Sequence, residues 1–482
     1  MSKKILITVA IALLLLIGPL TGHALAVVPP DVHNEIAKAQ TAADTGYMLL
    51  CAALVLLMTP ALAFFYGGFV RSSNVLNTMM MSFLLMGVVG VTWVLWGYSL
   101  AFAPGIPFIG GLQWAFLNHV SFTDTDGYLP RMAFEAGKAD KDVLTSYAST
   151  IPHQAYMIYQ AMFAIITPAL ISGAIVERIS FRSYALFVLL WATFIYSPIA
   201  HMVWAKGGFL GGYGGLGALD FAGGTVVHIS SGVSALVATF VLGPRRLYPS
   251  QLTPPHNVPF VLLGAGLLWF GWFGFNAGSA LSSGSVATVA FVTTNTSTAA
   301  ALLTWLILER ALRGKSTAIG AATGAVAGLV GITPAAGFVT PIGALLIGSI
   351  TAFCCFYAIS IKAKLGFDDA LDTYPVHGVG GTVGAILTGV FATIEVNSAG
   401  SNGLLFGNPG QVVKQVIAVG ITYVLAAVGT FIILKLLSAT VGLRLKPEAE
   451  IQGMDINEHG EEAYGNDFSG GYDITGAEGE LR

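Results

Sequence analysis

The chain has 482 residues, 55% hydrophobic and only 10% charged, with a mean hydropathy of +0.75 and a formal net charge of -3. Ordinary globular proteins are about a quarter charged, so this composition excludes a string of soluble domains, and it is too apolar for a disordered chain and too weakly charged for a nucleic-acid binder. Cys51, Cys354 and Cys355 all lie in apolar runs and supply neither a disulfide framework nor a Cys-based zinc site. A polytopic membrane protein remains.

Lys3 and Lys4 precede an apolar run from Ile5 to Leu20 and a small-x-small pattern at Ala24-Leu25-Ala26. This reads as a secretory signal peptide over residues 1–26, the alternative being a first membrane helix. Each crossing needs roughly 20 mainly apolar residues. Eleven stretches qualify within 27–442: about 45–69, 75–103, 152–175, 183–204, 222–243, 257–275, 286–312, 316–333, 337–362, 376–395 and 411–441. Every second connection is basic: Arg71; Arg178 and Arg182; Arg245 and Arg246; Arg310, Arg313 and Lys315; Lys362 and Lys364; Arg444 and Lys446. The others hold only Arg131, Lys138, Lys141, Lys206 and Lys414. The positive-inside rule therefore places the N-terminus outside and the C-terminus inside. The fold class expected is an all-α polytopic membrane protein, with the last span longest. Residues 443–482 are rich in Gly, Asp and Glu and read as a solvated cytoplasmic tail.

The fifth and tenth spans share a pattern, DFAGGTVVHISSGVSALVATF from Asp220 and DTYPVHGVGGTVGAILTGVF from Asp372. With the Val-His pairs aligned, His228 falls on His377, Gly232 on Gly381 and Ala235 on Gly384. These positions share a helix face, and small residues let membrane helices approach closely. On the odd-even count the two spans run in opposite directions. The chain would then be two inverted five-helix repeats plus a final helix, a layout that puts a conducting site near the bilayer midplane.

Only His228 and His377, of nine histidines, lie well inside spans. Ionisable groups at that depth are functional by default. They suit the lining of a narrow path for a small polar solute, each imidazole offering one donor and one acceptor; packing imidazoles and axial haem ligands are the alternatives. Asp220 and Asp372 each precede their histidine and read as electrostatic supports, or in the plainer case as helix N-caps. Phe163 and Trp204, with Trp272, Phe275 and Ser279, cluster at the outer ends of three spans. Aromatic belts at membrane interfaces explain single aromatics. The set together suits a small ammonium-type cation, held by cation–π attraction of about 2 kcal/mol when desolvated and a hydrogen bond to Ser279. No metal cluster, nucleophile–base pair or cofactor motif appears in the spans, so no enzyme and no cofactor is expected.

Six motifs in order resemble the ammonium transporter (Amt/Mep/Rh) family: FFYGGFVRSSN at 64–74, AHMVW at 200–204, the 220–245 run ending VLGPR, GWFGFNAGSA at 271–280, GLVGITPAAGFV at 328–339 and DTYPVHGVGGTVG at 372–384. The resemblance spans about 43–464. It implies a bacterial-type ammonium channel in the inner (plasma) membrane that serves nitrogen uptake, a homotrimer with one pore per protomer, and ammonium or ammonia, with methylammonium, as substrate. Phe163, Trp204 and Ser279 would recruit ammonium, Phe163 and Phe275 would close the pore, His228 and His377 would line it, and Asp220 would support the recruitment site. The segment GMDINEHGEEAY at 453–464 resembles the family's regulatory segment, which implies a PII-type signalling protein as a cytoplasmic partner. A membrane ammonium sensor signalling through the tail is the alternative function. The sequence departs from the family in the long 104–151 loop, in the residues beyond Tyr464 and at Leu371.

Overall fold

The computed structural model describes residues 30–120, 147–148, 150–212, 214–250 and 254–464; the expected signal peptide, most of the 104–151 loop and the chain after Tyr464 lie outside them. Two units are distinguished, Met1–Ala43 and Asp44–Arg482. The described part of the first is the exposed start of helix α1 (Pro30–Phe69), where Lys38 pairs with Glu35. Apart from that helix start, everything below belongs to the second.

A helix covers every one of the eleven apolar stretches. After α1 come α2 (Ser72–Phe102), α3 (His153–Ile175), α4 (Phe181–Trp204), α5 (Gly224–Leu242), α6 (Val258–Ala280), α7 (Ser285–Arg313), α8 (Ala318–Ile332) and α9 (Pro341–Leu365). Then α10 starts as a π-helical turn, Tyr374–Val379, and runs on as Gly380–Phe391, followed by α11 (Gly410–Thr440). Among the described residues nine helices are long and apolar enough to cross a membrane; α8 is shorter, and α10, with its Gly-rich, polar start, is not among the nine.

Capping chemistry places the ends. Asn257, Thr317 and Thr340 each accept a hydrogen bond from the amide three residues on, opening α6, α8 and α9. Pro341 follows its cap at the first helical position, so α9 begins four residues later than hydropathy alone suggested. Gly314 and Gly366 close α7 and α9 in the left-handed conformation. Helix α1 starts well before residue 45, because its first turns are polar and invisible to a hydropathy window.

Helix α3 is the central pillar. In its most apolar stretch 94% of residues are buried, against 33% for α11, so α3 is enclosed along nearly all its length, with Ile158 exposed, and α11 presents Val424, Val428 and Leu436 outward. Bulky apolar side chains on outer faces are what a lipid solvent selects. A two-residue hairpin, Gly105–Ile106 with Ile109–Gly110, decorates the connection after α2.

The beginning of the tail corrects its composition. Short helices α12 (Pro447–Gln452) and α13 (Met454–His459) are docked, with Met454 and Asp455 buried. Asp455 accepts from the amides of Leu76 and Asn77 at the start of α2 (3.0 and 2.8 Å), and Arg71 donates to the carbonyls of Glu450 and Ile451. Polar tail residues here satisfy helix ends instead of facing water, which a composition count does not distinguish.

Candidate functional site

Helices α5 and α10 meet face to face because glycine lines both. A Cβ at Gly232 would lie 2.2 Å from the backbone nitrogen of Gly378, and one at Gly381 would lie 3.0 Å from Cβ of His228. This approach brings the two buried imidazoles together, Nδ1 to Nδ1 at 3.2 Å, with ring centroids 5.3 Å apart and planes 25° from parallel. In a neutral pair one Nδ1 donates and the other accepts. The remaining Nε2 atoms are then one bare acceptor and one N–H donor. Nε2 of His228 is buried without a partner.

The walls around the pair are apolar. Leu62, Phe65, Leu268, Trp272 and Phe275 share one narrow cavity with both histidines. The Trp272 ring lies 5.4 Å from His228 at 19° and its Nε1 donates to Thr333 Oγ1 (2.8 Å), so it is a wall with its polar edge already used. Phe275 tops the cavity and Phe163 lies against it, centroids 4.2 Å apart, both 1% exposed. Trp204 stands edge-on to Phe163 at 5.8 Å. Ser279, on the short 3-10 turn ending α6, donates to the Phe275 carbonyl (2.9 Å) and meets Tyr159 Oη at 3.2 Å. The structure thus brings Trp204, Phe163, Phe275, His228 and His377 into one continuous column of rings.

Both histidines sit on π-helical turns, Gly224–Ile229 and Tyr374–Val379. Wide turns of this kind recur at functional sites. The first is anchored by Asp220, whose carboxylate accepts from the amides of Gly223, Gly224 and Thr225 (2.6–2.7 Å) and from the Thr225 hydroxyl. Its charge is committed to the helix N-terminus.

The partner of Asp220 in the second repeat is Asp369, not Asp372. Asp369 precedes His377 by eight residues, as Asp220 precedes His228, and accepts from the amides of Thr373 and Tyr374 (3.0 and 2.7 Å). Burial pushes its carboxyl up to about 6, against the opposing charge of Lys362. Asp372 instead takes a left-handed backbone (φ 58°) and pairs with Lys362 at 2.5 Å. The eight-residue interval was readable in the sequence, but aligning each histidine to its nearest upstream Asp hid it. Gly223, three residues after Asp220, also has positive φ (120°), so Asp372 is the counterpart of a glycine.

Beyond this end of the column is a charged network. Glu177 accepts from Arg71, Asn74 and Arg245, and Asp368 accepts from Arg245 at 2.8–3.2 Å. Burial raises both carboxyls, yet the arginines outweigh it and hold each below its usual range. Among the described residues no cluster of three or more His, Cys, Asp or Glu is arranged to hold a metal ion.

The model of the Ammonium Transporter Family matches residues 46–464. The chain belongs to the ammonium transporter family. It is 49% identical to an ammonium transporter of Bacillus subtilis (strain 168) over 422 residues, covering 87% of this chain and 98% of the relative. It is 48% identical to an ammonium transporter of Mycobacterium tuberculosis (strain ATCC 25618 / H37Rv), over 87% of this chain and 90% of that one. In three dimensions it resembles the crystal structure of Saccharomyces cerevisiae Mep2, with TM-score 0.75, 35% identity, and 84% and 88% of the two chains covered. A structure titled Sensor Amt Protein also matches, with TM-score 0.75 at 27% identity, over 87% of this chain and 99% of that one. Membership of the ammonium transporter family agrees with a multi-pass membrane protein whose business is ammonium transport.

Proposed function

We propose that this family member takes ammonium from the outer face and passes it across the membrane as ammonia. The observation that carries the reading is the pair of touching imidazoles inside an otherwise apolar cavity, behind two phenyl rings in contact. A charged group at the centre of a membrane helix costs roughly 3 kcal/mol on insertion scales and over 10 in simulations. Ammonium cannot enter such a lumen without losing its proton, whereas ammonia, small and neutral, can. Trp204 and Phe163 supply the aromatic faces for the cation, with the Ser279 hydroxyl beside them. Release of the proton near the Phe163–Phe275 gate leaves ammonia to be passed between the bare Nε2 and the Nε2–H of the pair, which titrate as coupled groups and relay the proton.

The same reading takes the eleven helices as eleven spans, in two inverted sets of five plus α11. It places the N-terminus outside after removal of residues 1–26, and the α12–α13 tail at the inner face of the cell membrane. A homotrimer and a PII-type regulator at that face complete it. The alternative, a pure sensor, draws on the likeness to the Sensor Amt Protein; the relatives named as transporters are far more similar in sequence. Uptake of radiolabelled methylammonium into proteoliposomes tests the proposal. Wild-type protein is expected to take it up, and the His228→Ala/His377→Ala variant to fall to the protein-free leak. Uptake at wild-type rate by the double variant would remove the imidazoles from the mechanism, and no uptake by wild type would favour the sensor.

A further inference from the structure

The two capping aspartates differ in what holds their main-chain carbonyls. At the outer cap, the Asp220 carbonyl accepts from Trp204 Nε1 at 2.9 Å. At the other, the Asp369 carbonyl accepts from Lys362 Nζ at 2.7 Å, and the same ammonium pairs with Asp372 Oδ1 at 2.5 Å. One repeat thus presents an aromatic ring that attracts a cation, and the other presents a cation already in place. Asp372, standing where the first repeat has Gly223, supplies the carboxylate that keeps it there. Lys362 reaches this position from the last turn of α9, with its side chain 15% exposed.

The site opens on a groove that Lys362 lines with Arg71, Arg245 and Arg246. Phe69, also on that groove, packs its ring 5.2 Å from Phe65, which lines the histidine cavity. One phenylalanine contact thus separates this groove from the histidine cavity. Glu177 and Glu450, the other carboxylates facing it along with Asp368, are held by arginines.

We propose that the Lys362 ammonium is a tethered stand-in for substrate: it occupies the Asp369 carbonyl and Asp372 carboxylate that an ammonium ion arriving from the tail side would otherwise take. This rests on the transport reading above and adds a specificity determinant to it. At the outer mouth the corresponding carbonyl is taken by the uncharged indole N–H of Trp204. At the tail-side mouth the cation site exists but is filled from within, so ammonium from that side binds weakly. Lysine suits the role because its head is a compact primary ammonium.

The test is methylammonium flux at zero membrane potential and equal pH, measured in right-side-out and inside-out membrane vesicles, for wild type, Lys362→Met and Lys362→Arg. Wild type is expected to half-saturate at a much higher concentration from the tail side than from the outer side. Lys362→Met, which keeps the stem and removes the head, should lower the tail-side half-saturating concentration about tenfold, the equilibrium equivalent of one charge-assisted hydrogen bond. Passive flux must obey detailed balance, so its maximal tail-side rate should fall in parallel. Lys362→Arg, which keeps the positive charge without the compact head, should stay nearer to wild type than Lys362→Met. A variant damaged only in structure would lose maximal rate without binding more tightly, and that result, or an unchanged half-saturation in Lys362→Met, overturns the proposal. Absence of saturable flux in wild type would instead overturn the transport reading on which it rests.

Discussion

Helices α5 and α10 each rise from an aspartate eight residues ahead of the histidine, turn at a positive-φ residue three positions after that aspartate, and pass through a π-helical turn before becoming α-helical. The side chains around this shared backbone plan diverge. Asp220 is packed against Trp204, and Asp369 against Lys362. The first repeat turns on Gly223 and the second on Asp372. Backbone geometry was kept where two helices must approach within glycine distance and present two rings to one gap. Chemistry was free to differ at the two helix starts, where the surroundings are aromatic rings at one and paired charges at the other. The shared pattern builds two like helix starts with unlike surroundings.

Variants at the shared positions measure how far that equivalence goes. The largest effect is expected for Gly232→Val, whose side chain would have to enter the backbone of Gly378. Forcing the helices apart costs about 3 kcal/mol and separates the imidazoles, so purified protein should melt much earlier and transport should vanish with both histidines intact. A normal melting temperature would mean that the helices do not need glycine contact.

Next is the charged network around Glu177 and Asp368. Glu177→Gln leaves Arg71 and Arg245 facing a neutral group and is expected to cost about 3 kcal/mol. The pH dependence gives its sign. Glu177 and Asp368 are held below their usual values, so their contribution is full above pH ~4.5 and is lost as pH falls through their folded-state values. Thermal melts of wild type should therefore drop steeply in acid, and those of Glu177→Gln less steeply from a lower plateau. Parallel curves would take Glu177 out of the network.

The smallest and most diagnostic pair exchanges the turn residues. Gly223→Ala puts a Cβ 2.6 Å from Val227 at φ 120°, outside the left-handed basin that other residues visit, and is expected to cost about 2 kcal/mol. Asp372→Gly relieves a left-handed backbone worth about 1 kcal/mol while losing the lysine pair, so its melt should shift little. Equal losses at both positions would contradict their different surroundings.

Much of the architecture was legible before any coordinates. Runs of apolar residues mark helices because lipid leaves the backbone no other partner, and the aligned Val-His-x-x-x-Gly pattern marks the two helices that meet. Pairing each histidine with its nearest upstream aspartate nevertheless misses the acidic end of the second pattern by three residues, Asp372 in place of Asp369. A carboxylate's role as a cap depends on which amides it reaches, and Asp369 and Asp372 are indistinguishable by composition. Lys362 was read only as a basic residue following a span. The tail was read as solvated, since Asp455 and Arg71 look like surface charges until the helix end and carbonyls they serve are seen.

Hydropathy and small-residue spacing by themselves determined that this chain is a bundle of apolar helices with two histidines on glycine-lined faces, because burial and close approach depend on residue size and polarity, which are local properties. Tertiary structure alone decided that those rings touch, that Phe163 and Phe275 pack against each other beside them, and that Lys362 reaches the Asp369 carbonyl and the Asp372 carboxylate. Those facts depend on distances between residues 112 to 149 positions apart for the rings, and on the direction a flexible lysine takes once its carbonyl and carboxylate partners have been folded into place.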